Sequence, residues 1–316
     1  MGLVSITSGG TSRREVLKNT VFGAGAAAVS FAVGSHSAVA QQAQPSSPQS
    51  VAELTRIAED VYMWRSLTHN TMFIVTDEGV IAADPIGLTN PRSPQMYKAA
   101  IAALTDRPVK YLIYSHDNAD HVTGGAVFMD TVEAVISHRL AAPKIAARNN
   151  QITPVPTYVV DSQASFALGG KTIDLIYTGR NHSDNSLVIY YGARRLLFAV
   201  DFIPVRSLPF RTLDDSYLNE WIASLKWIED NLFFDTLIPG HGRPGTKETV
   251  REVRQYFVDL TDAIRSARSS GMADNSEQMV GAVRAALTPK YATWENFGPY
   301  LPENIQGVIR MWREQA

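Results

Sequence analysis

The most informative stretch of the sequence is Ser115-His116-Asp117-Asn118-Ala119-Asp120-His121. It follows an apolar run, residues 109–114, that is typical of a buried strand. Two histidines and two aspartates therefore lie within six residues at the point where a strand ends. Imidazole nitrogens and carboxylate oxygens are good ligands for zinc and neighbouring divalent metals. The stretch predicts a metal-binding loop, and the alternative for this segment alone is a solvated polar loop.

Three later segments also place donor side chains at the ends of apolar runs. His182 lies in the polar loop 178–186, Asp201 ends the run 196–200, and His241 follows the run 237–239 between two glycines. Each signal is weak alone, because an Asp or His at a strand end is often only a cap or turn residue. Ligand sites in layered α/β proteins often lie at strand ends, so the joint occurrence of these segments is far more specific.

Strands and helices are predicted to alternate along the chain after a leading segment, residues 51–60. Predicted strands cover 71–76, 80–85, 109–114, 134–137, 157–160, 165–168, 171–177, 187–191, 195–200 and 236–238. Predicted helices cover 93–105, 140–148 and 219–230, and the chain is mostly helical from 246, with breaks at 269–271 and around Pro289. Two similar halves, each with strands and helices, predict an α/β fold with two sheets face to face and helices outside.

The composition excludes several classes of function. The formal net charge is −2 and there is no long run of one sign, so neither a nucleic-acid surface nor a polybasic membrane patch is expected. Cysteine is absent, which excludes disulfides, thiolate ligands and a cysteine nucleophile. Any metal must therefore be held by nitrogen and oxygen donors. The sequence predicts no oligomeric state.

The N-terminal residues have the pattern of an export signal. Arg13 and Arg14 precede an apolar run from Val21 to Val33, and an A-x-A cleavage pattern ends at Ala40. We predict a twin-arginine signal peptide over residues 1–40, recognised by the twin-arginine export machinery, and a flexible linker over 41–50. The expected location is periplasmic or secreted.

With these segments the chain resembles the metallo-β-lactamase superfamily, whose first motif, H-x-H-x-D-H, is followed by a separate His, a separate Asp and a final His. The resemblance implies a four-layer αββα sandwich over residues 51–316, with C-terminal helices from about residue 246. The metal-site residues that it implies are His116, Asn118, Asp120, His121, His182, Asp201 and His241. It also implies that Asp84 is a buried acid supporting the metal loop and not a ligand.

Asn118 departs from the family motif, which has a histidine at this position. The resemblance implies a first site of His116, Asn118 and His182, a second of Asp120, His121 and His241, and Asp201 between them. An amide is a weaker ligand with a harder oxygen. Either Asn118 ligates through its oxygen in a two-metal site that tolerates iron or manganese, or it hydrogen-bonds a bound water or Asp120 and one metal is held tightly. We expect weakened occupancy of the first site.

The resemblance implies a zinc-type hydrolase with one or two ions, acting on a small molecule. A divalent metal lowers the pKa of a bound water, so that a metal-bound hydroxide attacks the substrate. His116 and Asp120 are the predicted catalytic residues, with Asp120 orienting the nucleophile and carrying a proton to the leaving group. An Asp in the third motif, here Asp201, resembles the glyoxalase II, lactonase and phosphotriesterase branches of the superfamily. An ester, thioester or lactone substrate is therefore expected. A β-lactamase or hydrolytic dehalogenase is the alternative activity, and an inactive metal-binding protein is the alternative class.

Four polar residues outside the motif have less specific expectations. An ordinary turn or core role is expected for His69 and His138, ahead of a place in the pocket. Asp117 and Asp184 flank predicted ligands and are expected to support them or to be solvated.

Overall fold

Two β-sheets form the centre of the fold in the computed structural model, which describes residues 52–314. The predicted signal peptide, residues 1–40, and the predicted linker, residues 41–50, lie outside the described residues. Within the described range, no helix is both long enough and apolar enough to cross a membrane.

The first sheet has seven strands that lie side by side in chain order. They are β1 (Ala52–Arg56), β2 (Val61–Ser66), β3 (His69–Val75), β4 (Val80–Ala83), β5 (Val109–Ile113), β6 (Ala134–His138) and β7 (Tyr158–Val160). β1 to β4 are antiparallel, whereas β4 to β7 are parallel. Helices α1 (Ser93–Leu104), α2 (Ala119–Val122) and α3 (Ala141–Ala147) lie in the parallel connections. The carboxyl ends of β4 and β5 therefore meet at one edge of the sheet.

β1 lies in the segment 51–60, for which the sequence predicted no strand. Its burial alternates only weakly, and none of its side chains is fully buried. It is an edge strand that pairs with β2 alone, so its side chains show little of the apolar alternation on which the prediction depends.

The second sheet has five strands in the order β12-β11-β10-β9-β8. They are β8 (Gln163–Leu168), β9 (Lys171–Tyr177), β10 (Leu187–Tyr191), β11 (Leu196–Ala199) and β12 (Thr236–Pro239). β11 and β12 are parallel and are connected through α4 (Leu218–Asn231), whereas the other pairs are antiparallel. The ends of β11 and β12 therefore also lie at one edge.

The side-chain alternation of the strands builds the layers. Ile74 and Ile113 pack with Phe198 between the two sheets. Their neighbours Phe73 and Leu112 face the opposite side, with α1. Successive side chains of a strand point to opposite faces, so each sheet buries one face against the other sheet and one against helices. The predicted four-layer αββα sandwich is confirmed.

The C-terminal part packs three helices on the outer face of the second sheet: α5 (Lys247–Ser269), α6 (Glu277–Tyr291) and α7 (Phe297–Glu314). The Thr246 hydroxyl caps α5 by accepting the Glu248 backbone N–H. The predicted break around Pro289 is confirmed, because α6 ends at Tyr291 and α7 begins only at Phe297. Pro289 lies in the last turn of α6. It stands two residues before the end of the helix, where its missing N–H removes one intrahelical hydrogen bond.

Asp60 fastens the first sheet to the second. It lies between β1 and β2, and its carboxylate accepts hydrogen bonds from Tyr191 at 2.8 Å and Arg194 at 2.6 Å, with Lys171 at 3.3 Å. Burial opposes the charge, but these three partners lower the pKa of Asp60 below the ordinary 3.8. The ionised form therefore stabilises the folded state.

We expect Asp60→Asn to lower the free energy of unfolding at pH 7 by about 1–3 kcal/mol, since a buried charged acceptor is lost. The difference from wild type is present above the ordinary pKa of 3.8 and shrinks as pH falls through the lower folded-state pKa. Urea unfolding at several pH values measures it. Asp235→Asn is the control, because the Asp235–Arg195 pair is exposed and its loss should change little. Equal effects of both substitutions would contradict this role of Asp60.

Candidate metal centre

The loop after β5, residues 115–121, is held in place by Asp84. The Asp84 carboxylate follows β4, is fully buried, and accepts the Ser115 backbone N–H at 2.8 Å and the Ser115 hydroxyl at 2.6 Å. Ser115 Oγ also lies 2.9 Å from His116 Nδ1. These contacts link the ends of two parallel strands and orient the first histidine of the motif. Asp84 therefore supports the 115–121 loop, as the resemblance implies.

Four imidazoles surround the Asp201 carboxylate. Oδ2 of Asp201 lies 3.5 Å from His116 Nε2, 3.3 Å from His121 Nε2 and 3.7 Å from His182 Nε2. Its Oδ1 lies 3.2 Å from His241 Nε2. The tertiary structure thus brings together side chains that lie up to 125 residues apart in the sequence.

Among the described residues, two groups of side chains could each hold a metal ion. One group is His116, His182 and Asp201, and the other is His69, Asp120, His121 and His241. Within each group the donor atoms lie within 4.8 Å of one another. Every predicted His and Asp ligand therefore lies in one of the two groups, and His69 is an addition.

The expectation of an ordinary turn or core role for His69 is wrong. Its Nε2 lies 3.1 Å from Asp120 Oδ2, inside the centre. His138, in contrast, stacks on Tyr177 at 4.1 Å between ring centroids and lies 2.9 Å from the Asp161 carbonyl oxygen through Nε2, which is the core role expected for it.

His69 reaches the centre because the start of β3, in the first sheet, pairs with the loop after β12, in the second sheet. Its backbone forms a bridge with His241, and the Asn70 N–H donates to the Gly240 carbonyl at 2.7 Å. The Asn70 amide also donates to the carbonyls of Pro239 and Gly242. No local pattern could have predicted this contact, because the partner segment lies about 170 residues further along the chain.

Several donor atoms of the centre are buried and have no hydrogen-bond partner. They are His116 Nε2, both ring nitrogens of His121, and Asp201 Oδ1. Leaving such atoms unsatisfied is unfavourable, and a divalent cation coordinated by them removes the penalty. A set of nitrogen and oxygen donors without sulfur suits zinc, iron or manganese. The residues present therefore fit a divalent metal.

The charges of the centre stabilise one another. Burial opposes ionisation of Asp201, but His121 and His241 hold its pKa well below the ordinary range. Burial likewise opposes protonation of His121, yet Asp201 and Asp84 raise its pKa. Burial lowers the pKa of His182 to about 4 despite the nearby Asp201. A ligating imidazole must be neutral, so binding of a cation would be coupled to release of the proton from His121.

Asn118 contacts a predicted ligand of the first site. Its amide Nδ2 donates to His182 Nε2 at 3.1 Å. The partner is therefore His182 and not Asp120, the partner considered from the sequence. This hydrogen bond uses the lone pair with which His182 would bind a cation, which is consistent with a weakened first site.

A cavity of about 280 Å³ opens beside Asn118. Asp117 and Asp184 lie in its wall, and each is paired with a cation: Asp117 with Arg148, and Asp184 with Lys144 at 2.6 Å. These partners are not predicted ligands, so the expectation that both acids support the ligands stays a prediction.

The family model of the metallo-β-lactamase superfamily matches residues 65–241, more than half of the chain. The chain belongs to the metallo-β-lactamase superfamily. Membership supports a hydrolase-type function and implies a divalent metal, commonly zinc.

Two curated relatives are similar over about half of the chain. The 2,4-dinitroanisole O-demethylase subunit alpha of Nocardioides sp. (strain JS1661) is 29% identical over 174 residues, which cover 54% of this chain and 52% of that protein. The metallo-beta-lactamase type 2 of Elizabethkingia meningoseptica is 24% identical over 168 residues, covering 51% and 63%. The chain thus spans less than two thirds of the length of either relative.

Solved structures show the same fold. A metallo-beta-lactamase from Pontibacter korlensis has a TM-score of 0.58 at 18% identity and covers 66% of this chain and 99% of its own. A metallo-beta-lactamase from Hirschia baltica has a TM-score of 0.55 at 19% identity, covering 65% and 97%. At these identities the likeness establishes the architecture alone.

Gly240 leaves the space that Asp201 occupies. A Cβ at this position would lie 2.5 Å from Asp201 Oδ1 and 3.1 Å from His121 Cε1. We expect Gly240→Ala to displace both donors and to lower bound metal at least about tenfold. Elemental analysis after dialysis measures this. Gly281→Ala is the control, because a Cβ there meets nothing within 4 Å, and it should retain wild-type metal content. A fully loaded Gly240→Ala protein would contradict the packing argument.

We expect Asn118→His to raise the number of tightly bound ions from about one to two per chain, because an imidazole replaces an amide that hydrogen-bonds His182. Metal content, measured against protein concentration, is the readout. Two ions in the wild type as well would show that Asn118 does not weaken the first site.

Proposed function

We propose that this protein is a zinc-dependent hydrolase of small-molecule esters, thioesters or lactones, exported to the periplasm or secreted. The observation that carries the proposal is the convergence of four imidazoles on the mostly buried Asp201 carboxylate. Several buried donor atoms of this centre have no hydrogen-bond partner. The complete set of His and Asp donors argues against an inactive relative.

A divalent cation at this centre supplies Lewis acidity and lowers the pKa of water toward neutrality. The chain itself supplies Asp120, whose carboxylate is only partly buried. Burial opposes its ionisation, but the hydrogen bond with His69 and the field of His121 lower the pKa of Asp120. Asp120 is therefore a carboxylate ready to orient a water molecule and to carry a proton toward a leaving group. His116, which Ser115 orients, is the other residue assigned to the reaction centre.

The surroundings favour a substrate with little net charge. Leu67 and Leu88 are exposed, and each adjoins a threonine that contacts the His69 ring. On the other side, the cations Lys144 and Arg148 are already paired with acids. An apolar rim beside a polar centre suits an uncharged acyl compound, and no cation of the described cavity is left over for an anionic group.

Hydrolysis at an activated aromatic carbon is the second candidate. It is favoured by the similarity to the 2,4-dinitroanisole O-demethylase subunit alpha, which extends over 54% of this chain. Attack of water on such a carbon releases an alcohol or a halide and gives a phenol. The same apolar rim would accept an aromatic ring.

A substrate panel separates these functions. We expect zinc-loaded protein to hydrolyse p-nitrophenyl acetate and dihydrocoumarin, to lose this turnover with EDTA, and to regain it with zinc. Asp120→Asn should lower kcat by about 10²–10⁴-fold, as expected for loss of a proton-transfer group. Lys226→Asn, which alters an exposed ion pair on α4, is the control and should leave kcat unchanged.

The other substrates decide between the alternatives. Preferential turnover of 2,4-dinitroanisole or 1-chloro-2,4-dinitrobenzene would replace the ester proposal with the aromatic one, and turnover of nitrocefin alone would indicate a β-lactamase. Stoichiometric metal with no turnover of any substrate would reject the hydrolase proposal. Export is tested separately, by locating the full-length chain and an Arg13→Lys, Arg14→Lys variant in periplasmic and cytoplasmic fractions.

A further inference from the structure

We propose that His69 is a direct protein ligand of the divalent cation, in the group that it forms with Asp120, His121 and His241. This group would then have three imidazoles and a carboxylate, and it would be the tighter of the two sites. The inference rests on the metal centre of the proposed function but not on its substrate. It assigns to the centre a histidine that lies outside the superfamily motif.

The geometry places His69 among the donors. Its Nε2 lies 3.1 Å from Asp120 Oδ2, and its ring centroid lies 4.4 Å from that of His241 and 5.3 Å from that of His121. All four donor atoms of the group lie within 4.8 Å of one another. His69 is almost fully buried, at 4% exposure. A cation placed among the three accepted ligands of this group would therefore lie within reach of His69.

The two ring nitrogens of His69 have different surroundings, as expected for a metal ligand. Nδ1 lies 3.3 Å from the hydroxyls of Thr68 and Thr89, which can accept its proton in a hydrogen bond. Nε2 faces Asp120 and the interior of the group. Metal-ligating histidines usually donate from the nitrogen that does not bind the metal, and that hydrogen bond fixes the tautomer and the ring orientation. His138 differs, since its Nε2 contacts a backbone carbonyl.

The backbone also holds His69 at the site. It is the first residue of β3, it bridges to His241, and the adjacent Asn70 makes hydrogen bonds to the carbonyls of Pro239, Gly240 and Gly242. Two of the four donors are thus carried by backbone segments that are hydrogen-bonded to each other. Their spacing is fixed by the fold, and little side-chain ordering remains for the cation to impose.

The group that contains His69 has one imidazole donor more than the superfamily motif provides, and the other group has one fewer. The first group retains His116, His182 and Asp201, but Asn118 replaces the motif histidine and hydrogen-bonds His182 Nε2. Borderline cations such as zinc prefer imidazole to amide donors. With three imidazoles in one group and two in the other, the first equivalent of metal is expected in the group that contains His69.

The test compares the full-length wild type with His69→Gln and with His138→Gln, a matched removal of a buried histidine away from the centre. Zinc affinity is measured by competition with a chromophoric chelator, and the donor set is observed in the visible absorption of protein loaded with saturating Co²⁺. We expect His69→Gln to weaken zinc binding more than about 100-fold and to change the Co²⁺ bands. An outer residue that only orients a ligand typically changes affinity 10–100-fold. His138→Gln should match the wild type in both measurements.

Affinity within tenfold of wild type, or Co²⁺ bands unchanged in His69→Gln, would overturn the assignment. Unchanged bands with weakened affinity would mean that His69 only positions Asp120. If His69→Gln does not fold, the wild type carrying one equivalent of Co²⁺ decides by proton NMR. Three exchangeable imidazole N–H signals with hyperfine shifts support the His69 group, and two overturn it. None of these readouts depends on turnover, so the absence of hydrolysis would reject the proposed function and leave this assignment standing.

Discussion

The carboxylate of Asp201, which is only 11% exposed, is the charge around which the metal centre is organised. Removing a carboxylate from water is unfavourable unless it is paired, and here four imidazole nitrogens lie within 3.7 Å of its oxygens. The backbone at this residue takes the left-handed conformation, with φ of 66°, which few residues other than glycine adopt. Local backbone strain and buried charge thus coincide at one position, as is common where a site is built for binding.

The imidazoles that surround the Asp201 carboxylate come from residues at the ends of strands in both sheets. Parallel strands end at a common edge, so the residues after β4, β5, β11 and β12 meet there, and the 115–121 loop is held by the buried Asp84. Gly240 leaves room for Asp201, and Asn70 joins the start of β3 to the loop after β12. The sandwich is therefore closed by hydrogen bonds at the same edge where the donors converge. Asp60 makes a second connection between the sheets through Tyr191 and Arg194.

Compared with the motif of the metallo-β-lactamase superfamily, this chain has one imidazole fewer in one group of metal donors and one more in the other. In the group of His116, His182 and Asp201, Asn118 replaces the motif histidine and hydrogen-bonds His182. In the group of Asp120, His121 and His241, His69 is an additional imidazole. The number of nitrogen donors in the centre is thereby conserved while their balance changes. The two curated relatives, a 2,4-dinitroanisole O-demethylase subunit and a metallo-beta-lactamase, are each similar to about half of this chain. The apolar rim of Leu67 and Leu88 suits both an acyl and an aromatic substrate, so the substrate panel is needed to distinguish the candidate chemistries.

From the sequence we could predict the alternation of strands and helices, the layered fold, and the positions of the His and Asp donors in the motif. These features depend on local apolar periodicity and on short, specific spacing. The sequence also predicted the break between α6 and α7 around Pro289, but it predicted no strand at β1, since an edge strand has a weak local signal. The place of His69 and the hydrogen bond from Asn118 to His182 were decided only by the tertiary structure. Both contacts join segments more than fifty residues apart, and such contacts arise from the pairing of sheets, which leaves no pattern in either segment alone.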